Sequence, residues 1–198
     1  MVDNFFNICT SLLPELGEDN FYFVQVIQRK NKGFDHTKFI KSFSIYNADD
    51  LWDKKSEIIK VCQDYNARAY MYINPRNSKD ISFHMIELIT ESLRNENYKN
   101  SHIYEIACGK FRDTKLPNKW ILDIDTKDEN DLRQYKDIVE QCDSGFDNNI
   151  IATIPTVHGY HLITHTFNVA QFRELTKGDD MKIEIQKDNP TLLYALDD

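Results

Sequence analysis

Two carboxylates stand two residues apart in the otherwise apolar run Trp120-Ile121-Leu122-Asp123-Ile124-Asp125, and no other pair in the chain is better placed for chemistry. Side chains two apart in a strand share a face, so Asp123 and Asp125 point the same way while Leu122 and Ile124 enter the core. Like charges held that close raise one another's pKa unless a cation sits between them, which makes a divalent metal the natural occupant. Aspartate is also a poor strand former, so two in one strand call for a reason. The plainer alternative is a strand end that runs into a solvated loop over residues 125–128.

Residues 151–165 read as strand, turn and returning strand. Pro155 to Gly159 form the turn, Gly159 lets backbone approach a ligand closely, and His161 opens the second strand. His158, His161 and His165 lack the spacing of a zinc site, because His161 and His165 share a strand face while His158 lies in the turn. In residues 181–188, Ile183 and Ile185 point inward and leave Lys182, Glu184 and Gln186 on the opposite face. Glu184 can then join the aspartate pair across the sheet, although any half-exposed strand alternates in this way. A basic segment over residues 29–41 gathers Arg29, Lys30, Lys32, Lys38 and Lys41 around Gly33. It fits either a surface for nucleic-acid phosphates or an ordinary solvated loop.

The elements that must position these groups follow from hydrophobic period and turn chemistry. The first half reads as a helix over 4–16, a strand over 21–28, a strand over 42–46, a helix over 50–65, a strand over 68–73, a turn over 74–77 and a helix over 78–95. Ile81, Met85, Leu88, Ile89 and Leu93 form the expected buried stripe of the last helix. Asn47 to Asp50 offer cap chemistry for the helix before it. Residues 96–118 are polar and read as irregular, ending at Pro117. Beyond them come strand 119–125, helix 129–142, strands 149–154 and 160–166, helix 169–175, and strands 181–186 and 191–196. That order contains β-α-β-β-α-β, the ferredoxin-like pattern of RNA-recognition-motif folds.

Composition narrows the class further. The chain has 198 residues, 41% of them hydrophobic and 28% charged, with only 6 Gly and 5 Pro, which suits one globular core rather than a linker-rich or fibrous chain. No apolar stretch approaches the roughly 18 residues of a membrane span, and the N-terminus lacks the basic-then-apolar order of a secretory signal. A cytoplasmic protein with no membrane partner is therefore expected. Cys9, Cys62, Cys108 and Cys142 are too far apart for a CxxC motif and are expected as free, mostly buried thiols. Net charge of −8 argues against coating nucleic acid by bulk electrostatics but leaves room for a local basic cleft.

Taken in order, a DxD strand, a Gly159-Tyr160-His161 turn into a strand and a later acidic strand residue, Glu184, resemble the archaeo-eukaryotic primase superfamily. The layout resembles it over essentially the whole chain and the motifs over residues 119–194; residues 68–77 and 187–194 are also similar to stretches of small stand-alone members carried by bacteriophages and mobile elements. The resemblance implies an α+β fold over 1–198: an N-terminal α/β lobe (1–115) packed on an RNA-recognition-motif-like lobe (116–198), with the active site in the cleft between them. It implies a metal-dependent nucleotidyltransferase of primase or polymerase type that adds nucleotides to a 3′ hydroxyl on a DNA or RNA template. Asp123, Asp125 and Glu184 would be catalytic and hold Mg²⁺ or Mn²⁺, and His161, Gly159, Thr156, Lys110 and Arg112 would bind the nucleotide. Nucleoside triphosphates, a template strand, and a helicase or other replication protein are the implied partners. Glu184 stands where aspartate is common in the family, and no zinc-binding cysteine set or helical priming domain accompanies the core. The competing reading is a non-catalytic module that binds nucleotide or single-stranded nucleic acid on the same fold.

Overall fold

The computed structural model describes residues 1–29, 37–98, 101–178 and 183–196. In chain order the elements are β1 (Val2–Asp3), α1 (Phe5–Ser11), β2 (Asn20–Gln28), β3 (Lys38–Ile45), α2 (Ala48–Asp64), β4 (Arg68–Tyr72), β5 (Arg76–Asn77), α3 (Ser78–Arg94), α4 (Ile103–Lys110), β6 (Lys119–Ile124), α5 (Glu129–Glu140), β7 (Ile150–Pro155), β8 (Tyr160–His165), α6 (Val169–Leu175), β9 (Glu184–Gln186) and β10 (Pro190–Ala195). The strands form two sheets, and the pairings within both are antiparallel. One sheet runs β1-β10-β4-β2-β3 with β5 hydrogen-bonded to β2, and the other runs β7-β8-β6-β9. Helices and antiparallel sheets in this arrangement make an α+β architecture.

Among the described residues, three apolar layers and a smaller cluster of Tyr70, Leu192 and Ala195 hold it together. Between the sheets, Tyr22, Val24, Val26, Ala69, Met71 and Leu193 of the first meet Ile121, Ile154 and Ile163 of the second, with α1 and α2 closing the sides through Phe5, Ile8, Leu51 and Ile58. The far face of the second sheet packs Trp120, Leu122, Ile124 and Leu162 on α5 and α6. On the far face of the first, Phe21, Phe23 and Tyr72 lie under Ile81 of α3 and Ala107 and Cys108 of α4. β6 thus alternates: Ile121 enters the layer between the sheets, its neighbours Trp120 and Leu122 the outer one, and Asp123 falls on the Ile121 side. Side-chain caps fix the helix starts, with Asn47, Asn77, Asp128 and Asn168 accepting from backbone N–H groups of α2, α3, α5 and α6.

Several elements differ from the sequence reading. α1 stops at Ser11, short of Pro14, whose ring and missing N–H do not suit a helix interior. β3 begins at Lys38 rather than residue 42, paired along β2 to Gln28. The expected turn at 74–77 contributes a two-residue strand to β2. Residues 103–110, expected as irregular, form α4, because Ala107 and Cys108 have an apolar surface to bury against. On α3 only Ile81 is fully buried, and Leu93, expected in the stripe, is exposed. Residues 190–195, read with the second lobe, hydrogen-bond between β1 and β4 in the first sheet. Cys62, Cys108 and Cys142 are buried free thiols and Cys9 is half-buried.

The chain's return into the first sheet binds the two sheets together through polar contacts. Arg76 is fully buried, and its guanidinium reaches both oxygens of Asp188 at 3.1 Å while also donating to the carbonyls of Cys108 and Asn74. Asn74 in turn exchanges hydrogen bonds with the backbone of Lys119, at the start of β6, and donates to the carbonyl of Lys187. Asn4 donates to Pro155 O on β7 and to Leu192 O on β10. These links join both sheets to the segment that precedes and forms β10.

Candidate functional site between the two sheets

Asp123, Asp125, Thr156, Val157, His158 and His161 of the second sheet's side face Arg29, Arg68, Tyr70 and Leu192 of the first across one cleft. Its volume of about 100 Å³ is well below the roughly 300–1,000 Å³ that encloses a drug-sized ligand. That volume suits ion- or phosphate-sized groups, with any larger part of a ligand lying toward the open side.

Register explains how the second sheet fills its wall. Asp123 lies opposite His161 on β8 and Glu184 on β9, so all three belong to one sheet face. His161 Nε2 stands 3.4 Å from Asp123 Oδ1, and its other nitrogen, Nδ1, lies 2.9 Å from Thr191 Oγ1 on β10. Gln186 Nε2 donates to Asp123 Oδ2 at 3.4 Å. The His161 contact, with a smaller pull from the Arg29 charge, holds the Asp123 carboxyl below its ordinary value in spite of partial burial. Asp123 is accordingly an anion with its side chain 30% exposed, open to a ligand. Asp125 follows the last residue of β6 and is exposed.

The hairpin tip is shaped by Gly159. Thr156 and Gly159 close the turn, Thr156 N donating to Gly159 O at 2.8 Å and Gly159 N to Thr156 Oγ1 at 3.0 Å. A Cβ on Gly159 would stand 1.9 Å from Ile124 O, 2.8 Å from Thr126 N and 2.9 Å from Thr126 O. The close approach expected of this glycine is therefore to the backbone on either side of Asp125. It seats the turn carrying Thr156 and His158 directly against the end of the aspartate strand.

On the opposite wall Arg29 Nη1 donates to the Tyr70 hydroxyl at 3.1 Å, and Arg68 lies buried one residue pair away on β4. The cleft thus sets two guanidinium groups against two carboxylates with an imidazole among them, a division suited to an anionic ligand that also carries a cation.

Of the residues singled out in the sequence, Asp123, Asp125, Thr156, His161 and Arg29 line the cleft, and Gly159 supports it. Glu184 shares the Asp123 face but is exposed and lies outside the lining. Among the described residues no three His, Cys, Asp or Glu side chains gather closely enough to form a metal cage. Lys110 ends α4 and lines a different hollow beside α3, while Arg112 donates to the carbonyl of Asp113; neither reaches the cleft. In the basic segment, Lys41 pairs with Glu57 at 2.6 Å, Lys38 is exposed, and Lys30 and Lys32 lie outside the described residues. Sequence reasoning missed Arg68, Tyr70, His158, Gln186 and Thr191 as parts of this site. The one signal in the sequence was an arginine opening the otherwise apolar and aromatic strand run Arg68-Ala69-Tyr70-Met71-Tyr72, where the structure buries it. No described helix is long and apolar enough to cross a membrane. The chain matches no protein-family model, no curated protein and no solved structure.

Proposed function

We propose that the protein is a metal-dependent nucleotidyltransferase of the primase and polymerase kind, acting on nucleoside triphosphates and a nucleic-acid 3′ hydroxyl. The observation that carries this reading is the cleft itself, which Asp123, Asp125 and His161 line together with Arg29 and Arg68. Supporting it, the β-α-β-β-α-β segment from β6 to β9 has strand order β7-β8-β6-β9 with antiparallel neighbours, the arrangement of a ferredoxin-like, RNA-recognition-motif-like lobe.

In the reaction the hydroxyl oxygen attacks the α-phosphorus and gives up its proton to solvent water, a new phosphodiester bond forms, and pyrophosphate leaves with the electron pair of the broken P–O bond. The donor set fits Mg²⁺ or Mn²⁺, hard cations commonly held by one or two carboxylates together with substrate phosphates rather than by a complete protein cage. Such an ion would supply charge neutralisation on the triphosphate and acidify the attacking hydroxyl. The chain's own residues do the rest. Asp123 and Asp125 would hold the cation, Arg29 and Arg68 would take phosphate oxygens, and His161 would donate from Nε2 to an oxygen of the leaving group. The small volume of the cleft leaves the base and template outside it, which suits a protein that reads sequence through base pairing.

The test is extension of a labelled primer on a template with Mn²⁺ and nucleoside triphosphates. Extension by the wild type that disappears in Asp123→Asn, with the fold intact, supports the reading. Triphosphate binding by the wild type without any extension, across DNA and RNA templates, overturns it in favour of a non-catalytic binding module.

A further inference from the structure

We infer that Thr191 is a positioning residue that fixes the tautomer and direction of His161, so that Nε2 carries the proton and presents it to whatever anion occupies the cleft. This rests in its second half on the nucleotide reading above; its first half stands on geometry alone.

The ring of His161 is held at both ends, by Asp123 Oδ1 at 3.4 Å from Nε2 and by Thr191 Oγ1 at 2.9 Å from Nδ1, and only 12% of its side chain is exposed. An ionised carboxylate can only accept, so the nitrogen facing it must bear hydrogen; a lone pair there would oppose a negative oxygen. In the neutral ring that leaves Nδ1 as an acceptor. The Thr191 hydroxyl can satisfy it by donating, and Nδ1 is that hydroxyl's one hydrogen-bond partner among the described residues. With Thr191 fully buried, a hydroxyl that accepted instead would leave its own proton without a partner in an apolar layer, at appreciable cost. Both ends of the ring therefore select the same tautomer.

The placement of Thr191 gives the contact its stiffness. It sits on β10 in register with Met71 of β4, inside the first sheet, whereas His161 belongs to the second. The hydrogen bond therefore joins the two sheets and aims the imidazole from a rigid strand. Three residues before it, Asp188 is clamped by Arg76 and Asn74, and Leu192 O, one residue after, is held by Asn4. The other charged and titratable groups that line the cleft with His161 are Arg29, Arg68 and Tyr70 on the first-sheet wall and Asp125 and His158 on the second-sheet side. An anionic oxygen that takes a place beside Asp123 can share the Nε2 proton with no change at Nδ1.

Long-range ¹H–¹⁵N correlation spectra of histidine-labelled protein, recorded where the ring is neutral, read the tautomer directly. The wild type and Thr191→Ser should show protonated Nε2 and bare Nδ1. Thr191→Val, which keeps the shape and removes the hydroxyl, should shift His161 toward a tautomer mixture and weaken Mg²⁺·ATP binding about five- to tenfold, with Thr191→Ser restoring it. Protonated Nδ1 in the wild type would overturn the inference without recourse to any variant, as would an unchanged tautomer and affinity in a folded Thr191→Val protein. Failure of the wild type to bind Mg²⁺·ATP while the tautomer pattern holds would overturn the nucleotide reading and leave the positioning role in place.

Discussion

Replacing Gly159 with alanine should damage both stability and the cleft, for a steric reason visible in one contact. The added methyl would stand 1.9 Å from Ile124 O, where ordinary van der Waals contact begins at 3.4 Å. Relief requires a relative movement of about 1.5 Å between the hairpin tip and the end of β6, and all three obstructing atoms are backbone rather than a flexible side chain. Overpacking of this kind costs typically about 1–3 kcal/mol, and the upper end applies because no rotamer can yield. For a chain of this length that corresponds to a loss of about 6–12 °C in melting temperature. The displaced segment includes Asp125, so Mn²⁺ affinity measured by calorimetry should fall as well, in protein still folded at low temperature. Gly17→Ala is the control, since a Cβ there meets nothing within 4 Å; it should melt at or slightly above the wild type through loss of unfolded-state entropy. If Gly159→Ala melts with the wild type and binds Mn²⁺ equally well, the account of how the turn seats the aspartate strand is wrong.

Arg76→Met should cost about 3–5 kcal/mol in denaturant unfolding by stranding the Asp188 carboxylate, and Arg76→Lys should rescue little, because an ammonium cannot span both oxygens while donating to two carbonyls. An Arg76→Lys protein as stable as the wild type would refute this reading of the clamp. Burial lowers the Lys119 ammonium from 10.5 to about 8, with Nζ near the carbonyls of Leu12 and Ile73. Between those two values the unfolded chain holds a proton that the folded one has lost, so this lysine should make stability rise with pH across that window, by roughly 3 kcal/mol in all. Denaturant titrations at both ends of the window, compared with Lys119→Met, isolate it from the buried thiols and phenols, whose raised pKa values act in the opposite sense; equal slopes in the two proteins would refute it.

What the sequence made legible was local. The aspartate pair could be read because its geometry depends on two residues of one strand, and Asn47 could be read because a cap acts within three positions. α5 and α6 emerged because their apolar residues recur at helical spacing along a single face. α4 escaped because Cys108 and Gly109 weaken its pattern, although Ile103, Ile106 and Ala107 stand at helical spacing. Arg68 and Tyr70 escaped for a different reason. Their role arises only when β4 is brought opposite β6, some fifty residues later, and nothing within their own strand specifies that partner. The same holds for β10, whose alternation marks a strand but not the sheet that receives it. Thr191 could not be connected to His161 until that sheet was known.

The most direct test of the central claim is anomalous diffraction from crystals soaked with Mn²⁺ and a non-hydrolysable nucleoside triphosphate. A manganese peak should lie within about 2–2.5 Å of carboxylate oxygens from both Asp123 and Asp125, with triphosphate oxygens against Arg29 and Arg68 and one of them accepting from His161 Nε2. Manganese bound away from both aspartates, or a triphosphate seated elsewhere such as the hollow beside Lys110, would contradict it.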